Sequence, residues 1–302
     1  MTPTSKTIIF FGTDDFSAAS LRALIAAQFT IGAVVTKPDS KKGRGRAVLP
    51  PIVKTIAEAH GIPVWQPLRV SDIADDIRAV TTHTGHAPLG VLVSYGKIIP
   101  QAIIDLFTPG IVNVHPSLLP RYRGPSPVES AIIHGDSETG VTLMQLSAAM
   151  DAGPIYTQQT IPLTGDETTP TLEAHLAERG AHALCTHLPA IIDGRLTPTP
   201  QNDDVATYCQ LLSKNDAALD PATLTADAAE RRIRAYIAFP KTKLTIAGQP
   251  IIVTKAHVVT DTTPANALTI TCADNTHLAL DELIGPSGRA MSAQSFANGY
   301  LK

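Results

Sequence analysis

The chain has 302 residues, 44% of them hydrophobic and 17% charged, a composition that excludes a disordered protein and predicts a folded, globular one. Lys and Arg number 24 against 27 Asp and Glu, a formal charge of -3, so the protein is not a polycation that wraps nucleic acid over its whole surface, and any basic site has to be local. Three cysteines without CxxC spacing support neither a disulfide scaffold nor a thiolate zinc site, and no signal peptide or run of about 20 apolar residues is present, which predicts a cytoplasmic protein with no membrane partner.

At roughly 100 to 200 residues per domain, two domains are expected. Short apolar runs alternate with helical patterns through the first half, the rhythm of parallel βα units and of the α/β class. A buried strand is predicted over 6–11, a helix capped by Asp14 or Asp15 that runs through Leu21, Leu24 and Ile25, and a second strand over 31–35. Further strands are predicted over 64–65, 91–93 and 111–114, with helices over 51–59, 72–80 and 101–107. Strands over 140–146 and 155–161 follow, then a long helix over 171–192 that buries Leu172, Leu176, Leu184 and Leu188.

The stretch 194–204, GRLTPTPQNDD, loses all periodicity and reads as a linker. This predicts a first domain over 1–193, a linker over 194–209 and a second domain over 210–302. In that second domain a helix is expected over 227–239, then β-like runs over 244–246, 251–259, 267–272 and 277–280, with turns marked by Gly248, Pro250, Pro264 and Gly285. A small β-barrel or sandwich is the expected form.

Asn113 and His115 end the 111–114 strand two residues apart, so the strand period places both side chains on one face. Carboxyl ends of strands are where ligand crevices open in such sheets, although a polar pair there also occurs as a purely structural one. The next segment, PSLLPRYRGP over 116–125, is too rich in proline and glycine for regular structure and too apolar for an ordinary exposed turn. A flat ring lying against it, with backbone amides meeting the ring's polar edge, is a reasonable ligand. Asp151, in MDAGP, can orient His115 or cap a turn, and spacing alone favours the cap.

Residues 37–46 hold Lys37, Lys41, Lys42, Arg44 and Arg46 against Asp39 alone, a local charge of +4 in a net negative chain. Gly43 and Gly45 interleave the arginines, so this segment suits a phosphate backbone, or else is a solvated charged loop. Its glycine spacing matches no P-loop, and no GxGxxG follows the first strand. Residues 210–302 balance nine basic against eight acidic side chains; Arg231, Arg232, Arg234, Lys241, Lys243 and Lys255 form a phosphate track or are scattered solvated charges. His83, His86, His182 and His187 have no companion ligands at convincing spacing, and no metal is predicted.

The run from Asn113 through His115, Ser117, Pro120, Arg123 and Gly124, with Asp151 and Gly153 downstream, resembles the NxHxSLLPxxRG and DxG signature of the folate-dependent formyltransferases. Within that family the resemblance is to the branch that formylates methionyl initiator tRNA. It extends to the FGTDDF stretch over 11–16, the segments at 37–39 and 43–46, Ser94–Gly96, Arg234 to Pro240, and 288–294. Two departures stand out: Pro116, where many members of the branch carry glycine, and Asp14, where proline is common.

The resemblance implies a Rossmann-like formyltransferase domain with a mostly parallel sheet, followed by a smaller OB-like β-barrel domain that binds tRNA. It implies transfer of the formyl group of 10-formyltetrahydrofolate, without a metal, to the α-amino group of methionyl initiator tRNA, with no obligate protein partner. Asn113, His115 and Asp151 become the catalytic trio. Ser117, Leu118, Leu119 and Pro120 contact the tetrahydrofolate beside the Ser94–Gly96 loop, Phe16 borders the methionine pocket, and Lys41, Lys42, Arg44 and Arg46 contact tRNA. Two alternatives share these residues: a formyltransferase acting on a small amine, such as glycinamide ribonucleotide or a nucleotide-linked amino sugar, and a catalytically silent tRNA-binding protein.

Overall fold

A computed structural model of the chain describes residues 6–42 and 47–301. Two compact units emerge: Met1–Gly124 with Gly140–Ile161 and Glu173–Tyr208, and Pro125–Thr139 with Pro162–Leu172 and Cys209–Lys302. In chain order the elements are β1 (Ile8–Gly12), α1 (Asp15–Ala26), β2 (Ile31–Val35), β3 (Ser40–Lys42), β4 (Ala47–Leu49), α2 (Ile52–Ala59), β5 (Val64–Trp65) and α3 (Ala74–Thr84). They continue with β6 (Leu89–Val93), α4 (Gln101–Ile104), β7 (Ile111–His115), α5 (Pro127–His134), β8 (Glu138–Gln145), β9 (Ile155–Pro162) and α6 (Thr169–Ile192). The remainder is α7 (Ala226–Ala235), β10 (Thr242–Ile246), β11 (Gln249–Val258), β12 (Thr269–Thr271), β13 (His277–Ile284), β14 (Ala290–Ser292) and α8 (Ala293–Tyr300).

The first unit is built on a sheet of order β5-β2-β1-β6-β7-β8-β9. Pairings from β5 to β7 are parallel, whereas β8 runs antiparallel to β7. Strands of such a sheet are covered on both faces, which is why β1 is apolar at four successive positions. Ile8 and Phe10 meet Leu21 and Leu24 of α1 and Leu184 and Leu188 of α6, while Ile9 and Phe11 meet Ile77 of α3, Ile103 and Phe107. Each such side chain contributes roughly 1.5–3 kcal/mol by leaving water. Strand order reverses between β1 and β6, and the carboxyl ends at such a reversal, with that of β7 beside them, are where ligands bind in open α/β sheets.

Local chemistry sets several boundaries. Of the two candidate caps, Asp14 starts α1, its carboxylate accepting the Ser17 N–H at 3.2 Å. The helix predicted over 101–107 is α-helical only to Ile104, after which the amides of Leu106 and Phe107 bond three residues back and the chain turns toward Pro109. The 72–80 helix runs instead from Ala74 to Thr84, behind a 3-10 turn at Val70–Ile73. Within the basic segment, β3 pairs antiparallel with β4, which follows it, Lys41 opposite Val48. The segment 194–208, which composition marks as a linker, belongs to the first unit, where Ile155 and Thr199 exchange backbone hydrogen bonds of 2.8 Å.

The second unit contains a smaller antiparallel sheet of order β10-β11-β13-β12, with β14 also on β13. Its core joins Ala229 and Ile233 of α7 to Leu244, Ile251, Val253, Leu278 and Leu283 of the sheet and Phe296 of α8. The helix predicted over 227–239 stops at Ala235, short of Pro240, which cannot continue it. Helices α5 and α8 and strand β14 are not apparent in the sequence. Among the described residues, no helix is long and apolar enough to cross a membrane.

Candidate active site

Strand β7 delivers Asn113 and His115 to one face at the rim of the sheet, both 5% exposed. His115 stands opposite Thr142 of β8 in the antiparallel register. The imidazole Nε2 lies 3.0 Å from the carbonyl oxygen of Tyr122. A carbonyl only accepts, so Nε2 carries the proton and donates it there, which leaves Nδ1 of the neutral ring as the bare nitrogen, the one able to accept a proton. Nδ1 faces Asp151 Oδ1 at 3.8 Å, an ion-pair separation once the ring is protonated and too long for a hydrogen bond.

Asp151 sits on the turn between β8 and β9 with a φ of 48°. Its second carboxylate oxygen, Oδ2, accepts the Gly124 N–H at 2.9 Å. The turn needs Gly153, because a Cβ there would lie 1.8 Å from the Gln145 carbonyl oxygen. Geometry thus brings His115 and Asp151 together at the end of β7, with Asn113 two residues back on the same strand, and of the two sequence readings of Asp151 it is the carboxylate facing the histidine that is seen.

The loop Ser117–Pro120 is held from inside. Thr142 Oγ1 donates to the Ser117 carbonyl at 2.6 Å and accepts from the Leu119 N–H at 3.2 Å; Gln158 Nε2 donates to the Leu119 carbonyl at 2.8 Å and to Thr142 Oγ1 at 3.0 Å. The Ser117 hydroxyl donates to the Arg121 carbonyl at 2.7 Å, and the Ser117 amide bonds the His115 carbonyl at 3.0 Å. Of the loop amides that the sequence reading turned toward a ring's edge, those of Ser117, Leu119 and Arg121 are engaged within the protein.

Beyond the carboxyl ends of β1 and β6, Thr13 Oγ1 donates to the Tyr95 carbonyl at 3.0 Å, and the Ser94 hydroxyl donates to Asp14 Oδ2. Asp14, a departure from the family pattern, is thus both a helix cap and a tie to the Ser94–Gly96 loop. Phe11 is fully buried, while Phe16 packs half-buried against the core.

Below the basic segment, Asp39 accepts from Lys54 Nζ at 2.9 Å and from Gln66 Nε2 at 2.7 Å, and Gln66 also donates to the Lys37 carbonyl at 2.8 Å. The Gln66 hydrogen bond, with that of Lys54, holds the Asp39 carboxyl below its ordinary range. Lys41 is exposed on β3; Arg44, Arg46 and the Lys42 side chain lie outside the described residues. In the second unit each of the three arginines of α7 makes at least one hydrogen bond within the unit. Arg231 donates to the Ile133 carbonyl at 3.0 Å, Arg232 to the Asp216 carbonyl at 2.7 Å, and Arg234 to Glu230 and the Glu167 carbonyl, both at 2.6 Å. Lys241, Lys243 and Lys255 remain exposed.

Sequence reasoning missed Thr142, Gln158 and Gln201. Thr142 carried a signal, a hydroxyl among the apolar residues of β8 that must find a partner once buried. Gln158 and Gln201 carried none, since a glutamine exposed on a strand and one half-buried in a polar stretch look alike in sequence.

Two family patterns divide this chain. That of the formyl transferases matches residues 5–188, and that of the formyl transferase C-terminal domain matches residues 211–301. The chain belongs to the formyl transferase family. It is 38% identical to the methionyl-tRNA formyltransferase of Halorhodospira halophila over 302 residues, which cover 97% of this chain and 96% of the relative. Among solved structures, the N-formyltransferase of Helicobacter canadensis in complex with folinic acid and dTDP-3-aminofucose is 18% identical, with a TM-score of 0.69, covering 91% of this chain and 98% of that one. The sugar 3N-formyl transferase WlaRD is also 18% identical, with a TM-score of 0.67, covering 92% of this chain and 97% of its own. These two likenesses concern the fold.

Proposed function

We infer that the protein is a cytoplasmic enzyme that transfers the formyl group of 10-formyltetrahydrofolate to the α-amino group of methionyl initiator tRNA, a step of translation initiation. The observation that carries this reading is the 38% identity to a methionyl-tRNA formyltransferase across 97% of the chain, the second unit included.

The neutral amine attacks the formyl carbon, and the carbonyl pair moves onto oxygen. Asn113 donates its amide N–H to that oxygen, an interaction whose loss costs about 3 kcal/mol of barrier at comparable donors. The proton of the attacking nitrogen passes to His115 Nδ1, since Nε2 is committed to Tyr122. Asp151, 3.8 Å away, stabilises the imidazolium. The oxyanion then re-forms the carbonyl as the bond from carbon to the folate nitrogen breaks, and the departing nitrogen, which keeps the electron pair, takes the proton from His115 and so returns the ring to its neutral form. General acid and base help of this kind is worth about 10² to 10⁴ in rate.

Leu118 and Leu119, set between Ser117 and Pro120, form the edge against which the reduced pteridine lies, and the hydrogen bonds from Thr142 and Gln158 keep that edge rigid. Lys41, Lys42, Arg44 and Arg46 neutralise acceptor-stem phosphates. Residues 1–193 carry the transfer together with 194–208, which belong to the first unit, and 210–302 contact tRNA, where Lys241, Lys243 and Lys255 are exposed.

The test incubates purified protein and 10-formyltetrahydrofolate with charged initiator tRNA, glycinamide ribonucleotide or a nucleotide-linked amino sugar. Formyl on the methionyl amine is expected. Formyl on a small amine alone overturns the acceptor assignment, and no transfer to any acceptor overturns the enzymatic one.

A further inference from the structure

The segment that composition marks as a linker returns to the candidate active site. Tyr122 N donates to Thr207 Oγ1 at 2.8 Å, Arg123 N to the Thr207 carbonyl at 2.8 Å, and Thr207 N to the Pro120 carbonyl at 3.1 Å. Within this strap Gln201 uses both ends of its amide. Its Nε2 donates to the carbonyl oxygens of Asp151 and Gly153 at 2.8 and 2.7 Å. Its Oε1 accepts from Arg123 Nε and NH2 at 3.1 and 2.8 Å. The Arg123 guanidinium, 2% exposed, also donates to Asp203 at 2.6 Å and to the Tyr208 hydroxyl at 3.2 Å.

Arg123 sits between the two residues whose backbones hold the catalytic pair: the Tyr122 carbonyl anchors His115, and the Gly124 amide anchors Asp151. Gln201 therefore ties both halves of the pair to one frame, with Arg123 on one side and the Asp151 turn on the other. If that turn shifts, the Asp151 carboxylate loses register with the imidazole.

We propose that Gln201 is a positioning residue for the transfer reaction, setting the separation of Asp151 from His115 through the two carbonyls of the Asp151 turn. The inference rests on the reading of His115 and Asp151 as the catalytic pair. Misplacement of a catalytic group by about 1 Å costs up to about 10²-fold.

The test is a double-mutant cycle on the full chain, measured as kcat and KM for formylation of methionyl initiator tRNA, with melting temperatures recorded for each variant. Gln201→Ala is expected to lower kcat by about tenfold or more with KM for either substrate changed less than about twofold. In an Asp151→Asn background the same substitution is expected to cost less than about twofold, because the group it positions is already disabled. Gln201→Glu, which keeps an oxygen toward Arg123 but has no N–H for the two carbonyls, is expected to behave like Gln201→Ala. An unchanged kcat in Gln201→Ala overturns the proposal while leaving the pair intact. An equal loss in both backgrounds overturns it in favour of general weakening of the fold. Wild-type kcat in Asp151→Asn overturns the catalytic reading and the proposal together.

Discussion

His115 Nδ1 and Asp151 Oδ1 face each other at 3.8 Å, each fixed from behind by a main-chain group of the same loop, the Tyr122 carbonyl and the Gly124 amide. Two residues two positions apart in the chain thus set the separation of the pair. The arrangement preorganises a site for an imidazolium, with the tautomer chosen before substrate arrives.

His115→Ala and Asn113→Ala are each expected to lower the rate of formyl transfer by about 10² or more, while affinity for initiator tRNA stays within about twofold of wild type. Single-turnover kinetics beside a filter-binding titration measures both. Near-normal turnover in either variant removes that residue from the mechanism.

The basic hairpin gives a salt prediction. Replacing Lys41, Arg44 or Arg46 with Ala should weaken tRNA binding and lower the slope of log affinity against log salt by roughly 0.7–0.9 for each phosphate that is no longer neutralised. Titrations across a range of potassium chloride test this; an unchanged slope makes the segment a solvated charged loop.

Thr142 serves three partners with one hydroxyl, the Ser117 carbonyl, the Leu119 amide and Gln158. Thr142→Val keeps the shape and strands those groups, so a loss of about 1–3 kcal/mol in stability is expected. The loosened loop should also raise KM for 10-formyltetrahydrofolate more than it lowers kcat. Urea melts and steady-state kinetics on one preparation check both.

The Tyr95 side chain is 1% exposed, its hydroxyl has no partner among the described residues, and burial pushes the phenol up to about 12. Phe11 meets its ring edge-on at 5.6 Å. Tyr95→Phe should retain that packing and remove an unsatisfied polar atom, stabilising the protein by about 1 kcal/mol. A lower urea midpoint would show that the hydroxyl has a partner in solution.

Glu129 of α5 is half-buried, and burial raises its carboxyl above the ordinary glutamate range. As pH climbs through that ordinary range the unfolded chain releases its proton first, so the folded state loses stability until the folded group has also ionised. Glu129→Gln should therefore be more stable than wild type at pH 7, with the advantage gone below about pH 4. Thermal melts at the two pH values give the comparison; equal melting temperatures at pH 7 contradict it.

The α/β rhythm was legible because β1, β6 and β7 are short apolar runs that any burial on both faces demands, and the Asn113 to Gly124 pattern lies within one strand and its loop. Sheet order was less so. The antiparallel β8 and the helices α5 and α8 depend on which surfaces meet, and α5, with Pro127 at its start and eight residues in all, is too brief for helical periodicity to declare itself. The arginines of α7 show how little charge counting says of use: each has one or two N–H groups bonded to a carbonyl or carboxylate of the protein, a pairing that no local pattern announces.

Residue order alone established the class of fold, the residue types available for formyl transfer and the place where a basic segment interrupts an acidic chain, because hydropathy period and motif spacing are local properties. Folding decided how those groups are used: which imidazole nitrogen keeps its proton, that Asp151 faces His115, and that Gln201 meets Arg123 from 78 residues away. Such pairings form only when loops close over the packed sheet, and the side chains that make them, an amide or a hydroxyl with no periodic pattern, become distinctive only after water has been excluded around them.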